Sequence, residues 1–156
     1  MSHLEEEYGW SLLDRLLYFE LSEGGDLPEE RLVHSIARDL QTLMNSRRKE
    51  EEIFVEYPEV SRSVLNFGMP AFGRYGHIGT SAEQSRLCRS MEDAIRMFEP
   101  RLRRAEVRIA EVDSRRKDVV CFRVEANIEG LGTREVFEMR LKPETGELVV
   151  SPGGAG

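Results

Sequence analysis

The side chains that most often do chemistry are scattered along this chain. His3, His34 and His77 stand far apart, and no HExxH or paired Cys/His spacing joins them to a metal site. For His34, beside Val33 and Ile36 on a helical pattern, a structural or surface role is the better reading. Cys88 and Cys121 are single, with no C-x-x-C pair and no neighbouring histidine to activate them. No G-x-S-x-G is present. "GRYGHIG" at 73–79 has three glycines in neither dinucleotide nor Walker spacing, and no clear strand precedes it. A glycosidase-like pair could be drawn from the many carboxylates, but their abundance makes solvated surface charge the better reading. The expectation is a chain with no catalytic residue, no metal, no cofactor and no small-molecule substrate.

One short stretch places charge with geometry. In "FEPRL" (98–102) Phe98 closes an amphipathic run, and Pro100 can neither continue a helix nor leave Glu99 in helical backbone space. A stop needs only the proline. Glu99 and Arg101 flank it, a carboxylate and a guanidinium on a hinge that has little entropy left to lose on docking. Arg101 could make a forked, charge-assisted contact with a partner. Alternatively both charges brace the helix–strand corner of their own domain.

The elements that must position this hinge follow from periodicity. "WSLLDRLLYFEL" (10–21) reads as a short amphipathic helix. Leu32, Val33, Ile36, Leu40, Leu43 and Met44 recur at helical spacing and predict a helix over about residues 28–46, with Asp26 as N-cap. A third helix runs up to Phe98, with Thr80 and Glu83 in capping-box spacing and Leu87, Met91, Ala94, Ile95 and Phe98 on one face. Between them, 53–80 is irregular, and its apolar "SVLNFGMP" either drapes over the core or faces a partner. Tyr8 and Trp10 carry the same ambiguity between anchor and core.

The second half alternates. Val120, Phe122, Val124, Ala126 and Ile128 are apolar against Arg123, Glu125 and Asn127, and Phe137, Met139 and Leu141 alternate with Glu138 and Arg140. "EGLGT" is the hairpin between them, "AEVRIAEV" an earlier strand and "ELVVS", after the turn "PETG", a last one. The predicted fold is α+β, with N-terminal helices packed on a C-terminal antiparallel sheet of three to four strands. One domain over 1–150 and a flexible tail over 151–156 are expected. The last strand, Leu148, Val149 and Val150 onward, is a candidate sheet edge, either open to a strand from another chain or covered.

Composition excludes several classes. A net charge of -7 argues against nucleic-acid or membrane-surface binding, which needs a basic footprint. Nineteen of the 22 basic residues are Arg, a bias that would suit an interaction protein. No secretory signal and no apolar span is visible, so no membrane insertion is expected, and reduced thiols point to the cytosol.

The order of "SLLDRL" (11–16), "SIARDLQTLMNSRR" (35–48), "YPEVSRSVLNFGMP" (57–70), "AIRMFEPRL" (94–102) and the sheet after them resembles the TssE family. These are the baseplate subunits of bacterial type VI secretion systems, related to the gene-25-type, lysozyme-like wedge proteins of phage tails. The resemblance covers roughly residues 9–150, and "SVLNFG" and Glu99-Pro100-Arg101 are its most specific parts. It implies a non-enzymatic role in the cytoplasmic baseplate of a membrane-docked contractile machine. It implies wedge partners of the TssF and TssG type, whose core bundle the Glu-Pro-Arg motif contacts. It also implies initiation of the contractile sheath, through the last strand as a template for sheath subunits. On this reading the protein-binding residues are Glu99, Pro100, Arg101, Leu148, Val149 and Val150. A phage tail or other contractile injection particle is the alternative, and a cell-wall glycan hydrolase a lesser one.

Overall fold

The computed structural model describes residues 28–48, 57–63, 66–70, 80–110, 120–142 and 144–153. The expectations for Tyr8, Trp10, the helix at 10–21, Asp26, His3, His77 and the glycine-rich 73–79 lie outside them.

Among the described residues three helices precede four strands: α1 (Pro28–Asn45), α2 (Pro58–Ser61), α3 (Ser81–Phe98), β1 (Leu102–Ala110), β2 (Cys121–Ile128), β3 (Arg134–Leu141) and β4 (Leu148–Pro152). The strands form one antiparallel sheet in the order β1-β2-β3-β4, so the fold is α+β. The periodicities decide which face is covered. Leu32, Ile36, Leu40, Leu43 and Met44 of α1 and Leu87, Met91, Ala94 and Ile95 of α3 are buried, as is every second residue of β2 from Phe122 to Ile128. Phe137, Met139, Leu141 and Leu148 complete that face, which α1 crosses beside β4 and α3 beside β1.

The opposite face of the sheet carries charge. Its register sets Glu106 against Glu125 and Arg108 against Arg123, like charges that repel when directly opposite. Diagonal partners relieve this: Arg134 lies 3.0 Å from Glu125 and 3.5 Å from Glu106, and Arg108 lies 3.0 Å from Glu106. The pairs are solvated and each adds little to stability. They hold the face polar.

α3 begins as expected. The Thr80 hydroxyl accepts from the Glu83 N–H, and the Glu83 carboxylate accepts from the Thr80 N–H at 3.1 Å, a complete capping box. The irregular middle contains the four-residue α2, which the sequence did not signal, with a proline at its start. Residues 66–70 strap the core. Asn66 and Met69 are buried, and Phe67 meets Phe98 edge-to-face at 5.3 Å. Met69 bonds the end of α1 from both sides: its N–H donates to Ser46 and its carbonyl accepts from Arg48. Gly68 makes this possible. Its φ is +113, and a Cβ there would sit 2.5 Å from the Ser46 carbonyl oxygen.

The sheet runs further than the sequence pattern predicts. β4 continues through Ser151 and Pro152, and the Gly153 N–H donates to the Val136 carbonyl at 2.7 Å. Residues 151–153 therefore belong to the sheet. Pro and Gly read as tail from sequence, but at an edge a proline loses no ladder bond.

Candidate docking surfaces

Helix α3 stops at Phe98 because the next residue leaves helical space, with Glu99 at φ -122 and ψ 78. Its N–H still closes the last turn on Ile95 at 2.8 Å, and its carbonyl accepts from Leu102 at 3.1 Å, so strand β1 starts from the corner itself. Pro100 sits exposed at the apex. The chain then bends so that Glu99 and Arg101 both turn back over α1.

The two charges engage each other. Arg101 forks onto Glu99, Nε to Oε1 at 2.7 Å and Nη2 to Oε2 at 2.6 Å. Nη2 also reaches Asp39 Oδ2 at 2.6 Å, and Nη1 donates to the Ser35 hydroxyl at 3.2 Å. Arg38 in turn donates to Asp39 Oδ1 from Nε and Nη2, at 3.1 and 3.0 Å. Two guanidinium and two carboxylate groups thus alternate and sum to zero, the arrangement that makes buried charge tolerable. Burial works against the Arg101 cation, but the Glu99 and then the Asp39 carboxylates more than offset it, and its pKa is raised above the ordinary arginine value.

The network is graded in depth. The Glu99 side chain is 5% exposed and Arg101 12%, whereas Asp39 is 29% and Arg38 39% exposed. Of the two roles open to Glu99 and Arg101 from sequence, the coordinates display the bracing one: they pin the helix–strand corner to α1. What the corner offers to the outside is Pro100, Arg38, Asp39 and the rim of Arg101. Ser35, Arg38 and Asp39 were missed as members of this site. The signal was there as "SIARD", polar residues on the flank of an apolar helix stripe, but the partner lies 62 positions further on.

The second candidate surface is β4, at the end of the sheet. Leu148, Val149 and Val150 are all in it. Leu148 is buried on the helix-covered face, and Val149 and Val150 are half-buried. Three of the backbone groups facing away from β3 are occupied. The Leu148 N–H donates to Asn45 Oδ1 and its carbonyl accepts from Asn45 Nδ2, both at 2.8 Å. The Val150 N–H donates to Gln41 Oε1 at 3.0 Å. Pro152, next in phase, has no N–H. Side chains of α1 stand where a neighbouring strand would, so among the alternatives for this edge the observed one is a covered edge. Val149 is out of phase with these positions, and its backbone groups face Arg140 of β3.

The far edge is covered at one position. On β1 the Val107 N–H donates to Glu92 Oε1 at 2.9 Å. A bulge at Arg104, with φ +53, shifts the register between Arg103 and Glu106 and turns the start of this edge. Burial, and then the neighbouring Glu92, push the Cys88 thiol pKa up, beyond the opposing effect of the backbone N–H groups of Cys88 itself and Ile109. Cys88 is half-buried and packs on the core, as does much of its helix face.

Among the described residues no cluster of His, Cys, Asp and Glu could hold a metal ion, and no helix is long and apolar enough to cross a membrane.

Residues 30–131 match the family model described as baseplate wedge protein gp25. The chain belongs to the baseplate wedge protein gp25 family. It is a structural family, and membership implies contact with other baseplate proteins. No curated protein matches the chain significantly. The matched span contains most of α1, all of α3 and the Glu99-Pro100-Arg101 corner, and it ends before β3 and β4.

Proposed function

We propose that this wedge-family chain is the baseplate subunit of a type VI secretion system, held in the cytoplasmic baseplate of a membrane-docked machine. It docks to the core bundle of TssF- and TssG-type wedge subunits through the corner at Glu99, Pro100 and Arg101. It initiates the contractile sheath through β4, residues Leu148 to Val150. It acts as scaffold and not as an enzyme.

The observation that carries the docking reading is the family match over 30–131, a span that includes a corner whose charges are locked in place. A pre-set network loses little entropy on binding, so it can act as a rigid key. Glu99 and Arg101 then act chiefly by shaping the surface, and Pro100, Arg38 and Asp39 make the outward contact. The β4 reading rests on its position at the sheet edge, since the family match stops short of it.

Capture of purified wedge subunits by the full chain tests this. Pro100→Ala, at an exposed position, is expected to weaken capture while the thermal melt stays in place, and Arg38→Ala, at the half-buried rim of the network, is expected to weaken capture with some loss of stability. Unchanged capture by those variants and by a folded Glu99→Ala/Arg101→Ala variant would sink the docking reading. The same family match fits the tail of a phage or another contractile particle equally well. Finding the protein in a purified baseplate, beside either type VI wedge subunits or phage tail proteins, separates the two.

A further inference from the structure

The caps on β4 follow a rule of spacing. Gln41 and Asn45 are four residues apart on α1, about 6 Å along the axis at ~1.5 Å per residue. Val150 and Leu148 are two residues apart on β4, roughly 6.6 Å at ~3.3 Å per residue. A helix lying antiparallel to an edge strand can therefore place side chains i and i+4 on two successive outward amides. On β1 a helix side chain, Glu92, likewise reaches an outward amide, that of Val107.

The two edges differ in how firmly they are shut. The β1 cap includes a carboxylate on an N–H, a charge-assisted bond, and that edge is also bulged. The β4 cap is made only of neutral amides. Asn45 is exposed, so water competes for each of its bonds. Its carboxamide copies one peptide group of an absent strand, donating to and accepting from the same residue. A hollow of about 270 Å³, lined by Asn45, Ser46, Met69, Pro70 and the 145–147 turn, lies beside it and gives a released side chain room to turn away.

We propose that Gln41 and Asn45 form a releasable clasp, which closes β4 to other strands and which an extended segment of another chain displaces to pair with Leu148 and Val150. This rests on the reading of β4 as a strand acceptor. In the free subunit the clasp keeps an edge from pairing indiscriminately; in the assembly it yields to a strand that offers more bonds than three side-chain ones. The partner contacts are main-chain, so the segment is recognised by extended conformation and not by a particular charge.

The clasp and the acceptor reading are separable by experiment. Hydrogen exchange in the full chain tests the clasp without any partner. In Gln41→Ala/Asn45→Ala the Leu148 and Val150 amides are expected to exchange about tenfold faster, while Val149 and Ser151, which face β3, keep their rates. No change, or an equal rise at all four positions, overturns the clasp. Binding of a short end-capped peptide of alternating Thr and Val tests the acceptor. The double variant is expected to bind it about tenfold or more tightly than the natural chain. Equal affinities overturn the clasp and leave the acceptor reading intact. Binding by neither protein overturns the acceptor reading, and with it the proposal, even where exchange marks Gln41 and Asn45 as caps.

Discussion

Arg101 Nη2 lies 2.6 Å from Asp39 Oδ2, across 62 residues of sequence. The contact ties the start of the sheet to the middle of α1, and with the Arg101–Ser35 bond it is the long-range part of a network whose other strong contact, Arg101 to Glu99, is local. Coupling between residues that share one guanidinium is measurable by a double-mutant cycle. Because Asp39 is partly solvated, the Asp39→Asn and Arg101→Lys pair is expected to couple by about 1 kcal/mol in urea unfolding. Additive effects would mean that the contact is thermodynamically silent.

Removing the cation is a different experiment. Arg101→Ala leaves Glu99 buried as an unpaired charge, and the expected loss is about 3–5 kcal/mol of unfolding free energy. Replacing both, in Glu99→Leu/Arg101→Met, removes the stranded charge and should recover much of that loss. A double variant no more stable than Arg101→Ala contradicts this account. The comparison also supplies a folded background in which docking can be tested.

Gly68→Ala should be the costliest small change in the strap. It combines a positive φ with a Cβ placed 2.5 Å from a backbone oxygen that cannot move without opening the end of α1. A loss of at least about 2 kcal/mol is expected. A thermal melt within a degree or two of the natural chain would show that the strap is not held as described.

Thr80→Ala removes the hydroxyl that accepts from the Glu83 N–H, while the Thr80 backbone N–H can still donate to the Glu83 carboxylate. The expected cost is about 1 kcal/mol. Thr80→Ser should restore most of it, and failure to do so would place the effect on the threonine methyl group instead.

Cys88 should be a slow thiol. Its pKa is raised by burial and by Glu92, so the thiolate fraction near neutral pH lies below that of a free cysteine. Alkylation by iodoacetamide in the folded chain is expected to lag well behind the same reaction in denaturant. It should accelerate as pH rises toward and past the raised value. Rapid labelling at neutral pH in the native state would contradict the burial.

Much of the fold was legible before any coordinates. The 3.6-residue recurrence from Leu32 to Met44 and from Leu87 to Ile95, and the alternation from Val120 to Leu141, each report on one element's own buried face. The Thr80–Glu83 box and the Pro100 stop are local too, because their physics acts within one turn of the chain. β1 was read as starting near Ala105, yet it begins at Leu102, since the corner feeds the strand directly. Pro152 reads as tail because a residue without an N–H looks like the end of a strand.

The sequence by itself determined the α+β class, the buried stripes, the hinge at Pro100 and the residues that mark the wedge family. It left open where Glu99 and Arg101 point, because that depends on Ser35 and Asp39, residues brought to them only when α1 packs on the sheet. It left open whether β4 is bare, because its edge is covered by Gln41 and Asn45, whose match to Val150 and Leu148 arises from the antiparallel setting of a helix against a strand. Periodicity acts along the chain and is written there. Hydrogen bonds between distant groups depend on relative position in space, and only the packed core fixes that.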